Sequence, residues 1–281
     1  MSSDAVGGAS ASVQAPARPA SARLSLALQR HRRGVLGTAS VAAFLVAWQV
    51  VGSRDATTAD LISYPTQVVA TGAQMTASGE LGRNALVSLQ EFVYGFVPAV
   101  VLGIALGLAM GRFRRVRYLL DPLVMAFYTA PRIALIPLLV IWFGVGMESK
   151  VAVVFLGAIF PVMVNTLAGV EQIDPLWVRA VRSFGAGEWQ VVTKVVLPGA
   201  VPAVMAGVRL GLGRAIIGVI VGEMYVAVAG VGRLVQVYSG AGRAAELVVL
   251  VVIIAAFGFA CITGLRLLEE RIAPWRRELE V

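Results

Sequence analysis

Histidine, cysteine and lysine are almost missing from this 281-residue chain: His31, Cys261, Lys150 and Lys194 are the whole complement. A single cysteine excludes an intrachain disulfide. A single histidine, in a polar N-terminal stretch far from Cys261, argues against a His/Cys metal site and against a His-dependent nucleophile dyad in the apolar part. Each lysine is followed by Val, so neither closes a GxxxxGK[ST] phosphate loop. No cofactor is expected in this chain, and any ATP-driven role needs another chain to hold the nucleotide. Charge is scarce as well. Only 14% of residues are charged and 58% are hydrophobic, where soluble domains carry about a quarter charged. The mean hydropathy of +0.81 points to a multi-span membrane protein. The net charge of +8 does not indicate nucleic acid: the Arg residues stand at the ends of apolar runs, and no basic patch is interleaved with aromatics.

What is present is a series of apolar runs. Residues 34–53, 92–111 and 151–170 are each 20 uncharged residues, and 247–265 is 19, long enough to cross a bilayer. A signal peptide is the rival reading of the first run, but no clear A-x-A site precedes Arg54. Residues 119–147 form a run interrupted by Arg132 and broken by Pro131 and Pro137. At about 1.5 Å per residue, Arg132 lies roughly 20 Å from Leu119, well into a membrane. Residues 202–222 form a further run carrying Arg209 and Arg214. Six transmembrane helices are therefore expected in an all-α integral membrane fold. Residues 1–33, rich in Ala, Ser, Gly and Pro and ending in Arg30-His31-Arg32-Arg33, read as a disordered basic tail. That tail either meets anionic lipid headgroups or serves as a topology signal only. Residues 54–83 are a polar outer segment with a short surface helix near 65–77; 84–268 hold the other five spans; 269–281 form the C-terminal tail.

Orientation follows from Lys and Arg. With the N-terminus inside, the inner segments hold 16 and the outer segments five, with three more (Arg132, Arg209, Arg214) inside runs. The bias puts both termini in the cytoplasm of a cell membrane, and with them residues 174–198, DPLWVRAVRSFGAGEWQVVTKVVLP. In that stretch Asp174 suits an N-cap and Pro175 the first helical position. Leu176, Ala180 and Phe184 recur at helical spacing, Gly185 and Gly187 interrupt as a turn, and a second helix over 188–196 is expected to stop before Pro198.

Gly185, nine residues, then Val195-Val196-Leu197-Pro198 is similar to the EAA motif of ABC importer permeases. The segments IALIPLLVIWFGVGMESK (133–150), FPVMVNTLAGV (160–170), SFGAGEWQVVTKVVLPGAVP (183–202) and GEMYVAVAGVGRLV (222–235) resemble the nitrate, sulfonate, taurine and bicarbonate permease group, over about residues 88–268. One position departs: Arg179 stands where the motif has its glutamate, so a contact needing a carboxylate there does not carry over. The resemblance implies a type I ABC importer fold. It implies a second permease copy, a cytoplasmic ATPase dimer that binds ATP and Mg, and an extracytoplasmic solute-binding protein. The expected coupling residues are Arg182, Ser183, Phe184, Gly185 and Ala186 at the tip, with Leu197 and Pro198 closing the motif. Phe184 is expected as a buried anchor in the ATPase cleft and Arg182 as seeking an acidic partner. The structural alternative is an amphipathic loop resting on headgroups through Trp177 and Trp189.

For the translocation pathway the candidates are Arg132, Tyr128, Asn165, Arg214 and Glu223. An ionisable group inside a span is a functional candidate, and a cation suits the anions that similar permeases carry. Each has a structural alternative. Arg132 would pair with carbonyls freed around the prolines, Asn165 would bond between helices, and Arg214 and Glu223 would form structural pairs. Two other classes stay on the page: a stand-alone secondary transporter or channel, and an intramembrane enzyme. No inverted-repeat pair of broken helices is evident for the former. The latter needs an acidic pair or a His at membrane depth, which no single run supplies.

Overall fold

A computed structural model describes the backbone of residues 20–226 and 228–274, with side chains from Val35 onward apart from Arg132. Every regular element among these residues is helical. A long helix α1 (Ala20–Gly52) opens the described part. It begins inside the stretch expected as a disordered tail, and residues 1–19 of that tail lie outside the described residues. The outer segment holds two short helices rather than one. Helix α2 (Ala56–Ile62) is capped by the Asp55 side chain, which accepts from Thr58 N at 2.7 Å. Helix α3 (Pro65–Ala77) starts on a proline that needs no donor there.

The core is three long helices, α4 (Glu80–Arg112), α7 (Met147–Glu171) and α10 (Leu197–Val226). Their buried residues, among them Phe96, Val154, Val162, Val208 and Leu212, form one apolar cluster. Close approach of α4 to α7 depends on Gly103 and Gly107. A Cβ added at Gly107 would sit 2.6 Å from the Met163 carbonyl oxygen and from Thr166, and one at Gly103 would sit 2.9 Å from Val162. The Gly-x-x-x-Gly pattern thus packs within the chain. Helix α12 (Ala244–Ile272) flanks this core. Large apolar side chains point outward along the spans, including Phe44, Val101, Ile141, Val251 and Phe259. Water would penalise that surface, whereas lipid does not.

The third run is broken. Helix α5 (Arg114–Thr129) and helix α6 (Ile136–Phe143) are joined through Ala130-Pro131 and a 3-10 turn over Arg132–Leu135, and the two arms are bent by 93°. Among the described residues, five helices are long and apolar enough to cross a membrane, six if this bent pair is one span.

Candidate functional site: the protruding tip and the cavity at the break

Two features carry chemistry: a protrusion between spans and a cavity at the break. The protrusion begins after α7 with α8 (Pro175–Ser183), whose N-cap Asp174 accepts from Leu176 N at 2.8 Å. Helix α8 has no buried residue. Its chain reverses at Gly185, whose φ of +81° lies in the left-handed region that glycine adopts without a Cβ clash. Gly187 then opens α9 (Glu188–Val191), where Gln190 Oε1 accepts from Gly187 N at 3.0 Å. The second helix does not stop before Pro198, contrary to the expectation. It widens into a π-type turn over Val192–Val196 and runs straight on as α10. A wide turn relieves the clash between a proline ring and the preceding turn, and the missing Pro198 donor is absorbed there. Leu197 and Pro198 therefore begin a span rather than end a loop.

The tip is open. Phe184 is 91% exposed and Trp189 77%, and Arg182, Ser183 and Arg179 are also exposed while Ala186 is half-buried. Arg182 has its acidic partner in its own chain: Glu188, at 2.6 Å. Glu188 also pairs with Arg112 at the end of α4, and Arg117 pairs with Glu171 at the end of α7. Glu188 thus straps the protrusion by charge to the C-terminal end of α4, while Arg117 of α5 holds the C-terminal end of α7, from which the protrusion springs.

The cavity, 420 Å³, lies where α5 breaks and is walled by α7 and α10. Tyr128, Thr129, Ala130 and Pro131 line it from the break, and Arg214 from α10. So Tyr128 and Arg214, far apart in sequence, meet here. Arg132 lies in the turn that follows Pro131, but its side chain is outside the described residues. Asn165 and Glu223 do not line this cavity. Asn165 Nδ2 donates to the Pro161 carbonyl one turn back, at 2.8 Å, so the bond lies within α7 rather than between helices as expected.

Glu223 is fully buried near the C-terminal end of α10. One of its oxygens accepts from Ser88 Oγ at 2.6 Å and the other from Gly232 N at 2.6 Å. Gly230 N donates to Asn84 Oδ1 at 2.8 Å, and Ser88 Oγ accepts from Val231 N at 2.9 Å. These bonds hold the start of α11 (Val231–Gly240) against α4. Tyr238 on α11 donates to Glu80 at 2.8 Å; burial first and the Glu80 carboxylate second push its phenol up to about 12, so it remains a donor at any physiological pH. Beside Glu223 lies Glu91, fully buried and paired with buried Lys150. Lys150, one of the five basic residues expected in the outer segments, is instead buried, and Glu91 had no expected role. The only signal was a lone acid just ahead of an apolar run. Arg209, which lies inside the 202–222 run, pairs with Glu269 of α12 at 2.8 Å.

A bundle of broken and glycine-packed spans, with a helical protrusion on one side and a cavity at membrane depth, defines a membrane transport subunit. Residues 99–278 match the family model of the binding-protein-dependent transport system inner membrane component, and the chain belongs to that family. It is 33% identical over 266 residues to the "Taurine transport system permease protein TauC" of Escherichia coli (strain K12), spanning 92% of this chain and 96% of that one. It is 31% identical over 252 residues to the "Putative aliphatic sulfonates transport permease protein SsuC" of Bacillus subtilis (strain 168), spanning 89% and 91%. The fold matches a chain of an amino acid ABC transporter crystallised with histidines, with a TM-score of 0.53 at 17% identity, covering 72% of this chain and 96% of that one. The expected type I ABC importer fold and permease role both stand: this chain is the membrane-spanning permease subunit of an ABC importer.

Proposed function

We propose that this chain forms the translocation pathway for a small anionic solute of the sulfonate or taurine class, and that 174–198 is the coupling element through which a separate ATPase drives it. Two copies of the chain form the pathway, both termini face the cytoplasm, ATP and Mg are held by the ATPase dimer, and a solute-binding protein delivers from outside. The chain itself carries out no reaction. The observation that carries the coupling reading is the protrusion α8–α9: it buries nothing of α8 in its own chain, and it exposes Phe184 at a glycine turn. An apolar anchor left that open fits a pocket on a partner. The charge straps from Glu188 to Arg112 and Arg182 give the protrusion a route by which displacement reaches α4. The substrate class rests on the relatives' names and on the cation in the cavity.

The test is Gly185→Leu. A Cβ at Gly185 meets nothing within 4 Å in the chain itself, so the protein should reach the membrane in normal amount. The φ of +81° costs a branched residue about 1–3 kcal/mol and reshapes the tip that enters the ATPase. Uptake should be lost and co-purification of the ATPase weakened. Unchanged uptake refutes the coupling role.

A further inference from the structure

Among the described residues, the other two cations that lie within the spans have carboxylate partners; Arg214 does not. Lys150 is paired with Glu91, and Arg209, five residues before Arg214 on the same helix, with Glu269. Arg214 has no ion-pair partner among the described residues, and its side chain is exposed to the cavity at the α5 break. At 1.5 Å per residue it stands about 18 Å short of the outer end of α10, inside the membrane. A guanidinium at that depth is stable only beside water or a counter-charge, and the cavity supplies the first.

We propose that this cavity is a binding site for an oxyanion head, and that Arg214 is the residue that holds it as the solute passes. This deepens the permease reading above and rests on it. The 420 Å³ of space falls in the range of small-molecule pockets. No described lining residue is acidic, so the local field favours an anion and repels a cation. The planar guanidinium fork matches two oxygens of a sulfonate. Ile217 and Val221, on the same wall as Arg214, give an alkyl tail an apolar surface.

The test uses the full importer, permease with its ATPase and binding protein, in proteoliposomes, with labelled ethanesulfonate and taurine as probes. Cys261, the sole cysteine, is first replaced by Ala. Arg214→Cys should then lower uptake of both probes at least tenfold, with normal amounts of permease and co-purified ATPase. Reaction of that cysteine with a positively charged aminoethyl thiosulfonate should restore at least a third of the flux, and reaction with the neutral methyl reagent should not. Arg214→Lys, which keeps the charge but loses the fork, should retain part of the flux where Arg214→Gln loses it. Equal recovery with both reagents, or full flux in Arg214→Gln, overturns the anion site and leaves the permease reading standing. If the unaltered importer moves neither probe, the substrate class falls first and the anion site with it.

Discussion

At the residue scale, the costliest group is the buried set under α11. Glu91 and Glu223 are fully buried; Glu91 is paired with the buried cation Lys150, while Glu223 accepts from Ser88 and Gly232. Removing one member of a buried pair leaves its partner uncompensated, at about 3–5 kcal/mol, whereas replacing both by apolar groups is often neutral. Lys150→Met should therefore lower the unfolding temperature of the detergent-solubilised protein sharply. Lys150→Met with Glu91→Met should recover much of the loss. If the two changes add without recovery, the ion pair is not what fixes these residues. The set was not legible in the sequence. Ser88 and Glu223 are 135 positions apart, and Gly232 joins them from a third element. A lone Glu ahead of an apolar run carries no hint of which lysine it will meet.

At the element scale, spacing and punctuation were informative wherever the cause was local. Asp174-Pro175 opened α8 and Gly185 closed it, because capping and a positive φ depend on one or two residues. The proline pair in the third run marked the break correctly for the same reason. Pro198 misled because a proline stop can be bridged by a wider turn when the helix beyond it is anchored in a core, and Val191, Val196 and Ala200 are buried there. Helix packing gives a sharper test. Gly107→Ala places a Cβ 2.6 Å from the Met163 carbonyl, and backbone cannot move aside as a side-chain tip does. Overpacking of this kind costs about 1–3 kcal/mol. Gly264→Ala in α12 meets nothing within 4 Å and should be neutral or stabilising by up to about 1 kcal/mol. Equal melting temperatures for the two variants contradict the close approach of α4 to α7.

At the scale of the whole molecule, everything proposed for the tip depends on which side of the membrane it faces. Family, fold and span number follow from composition, uncharged runs and motif spacing, since lipid imposes those on any sequence that crosses it. Sidedness rests on the charge bias alone, 16 basic residues against five, a bias that sets topology when loops are short. The structure places the basic ends Arg112 and Arg117 next to the protrusion, paired with Glu188 and Glu171, so this basic cluster and the tip share one end of the bundle. Ser78, between α3 and α4, belongs to the segment assigned to the opposite face. In a chain with Cys261 replaced by Ala, Ser78→Cys should react in intact cells with a membrane-impermeant maleimide. Ser183→Cys, exposed at the tip, should react only after the membrane is opened. The reverse pattern puts Phe184 and Gly185 out of reach of any cytoplasmic ATPase, and no arrangement of the remaining spans rescues coupling through that turn.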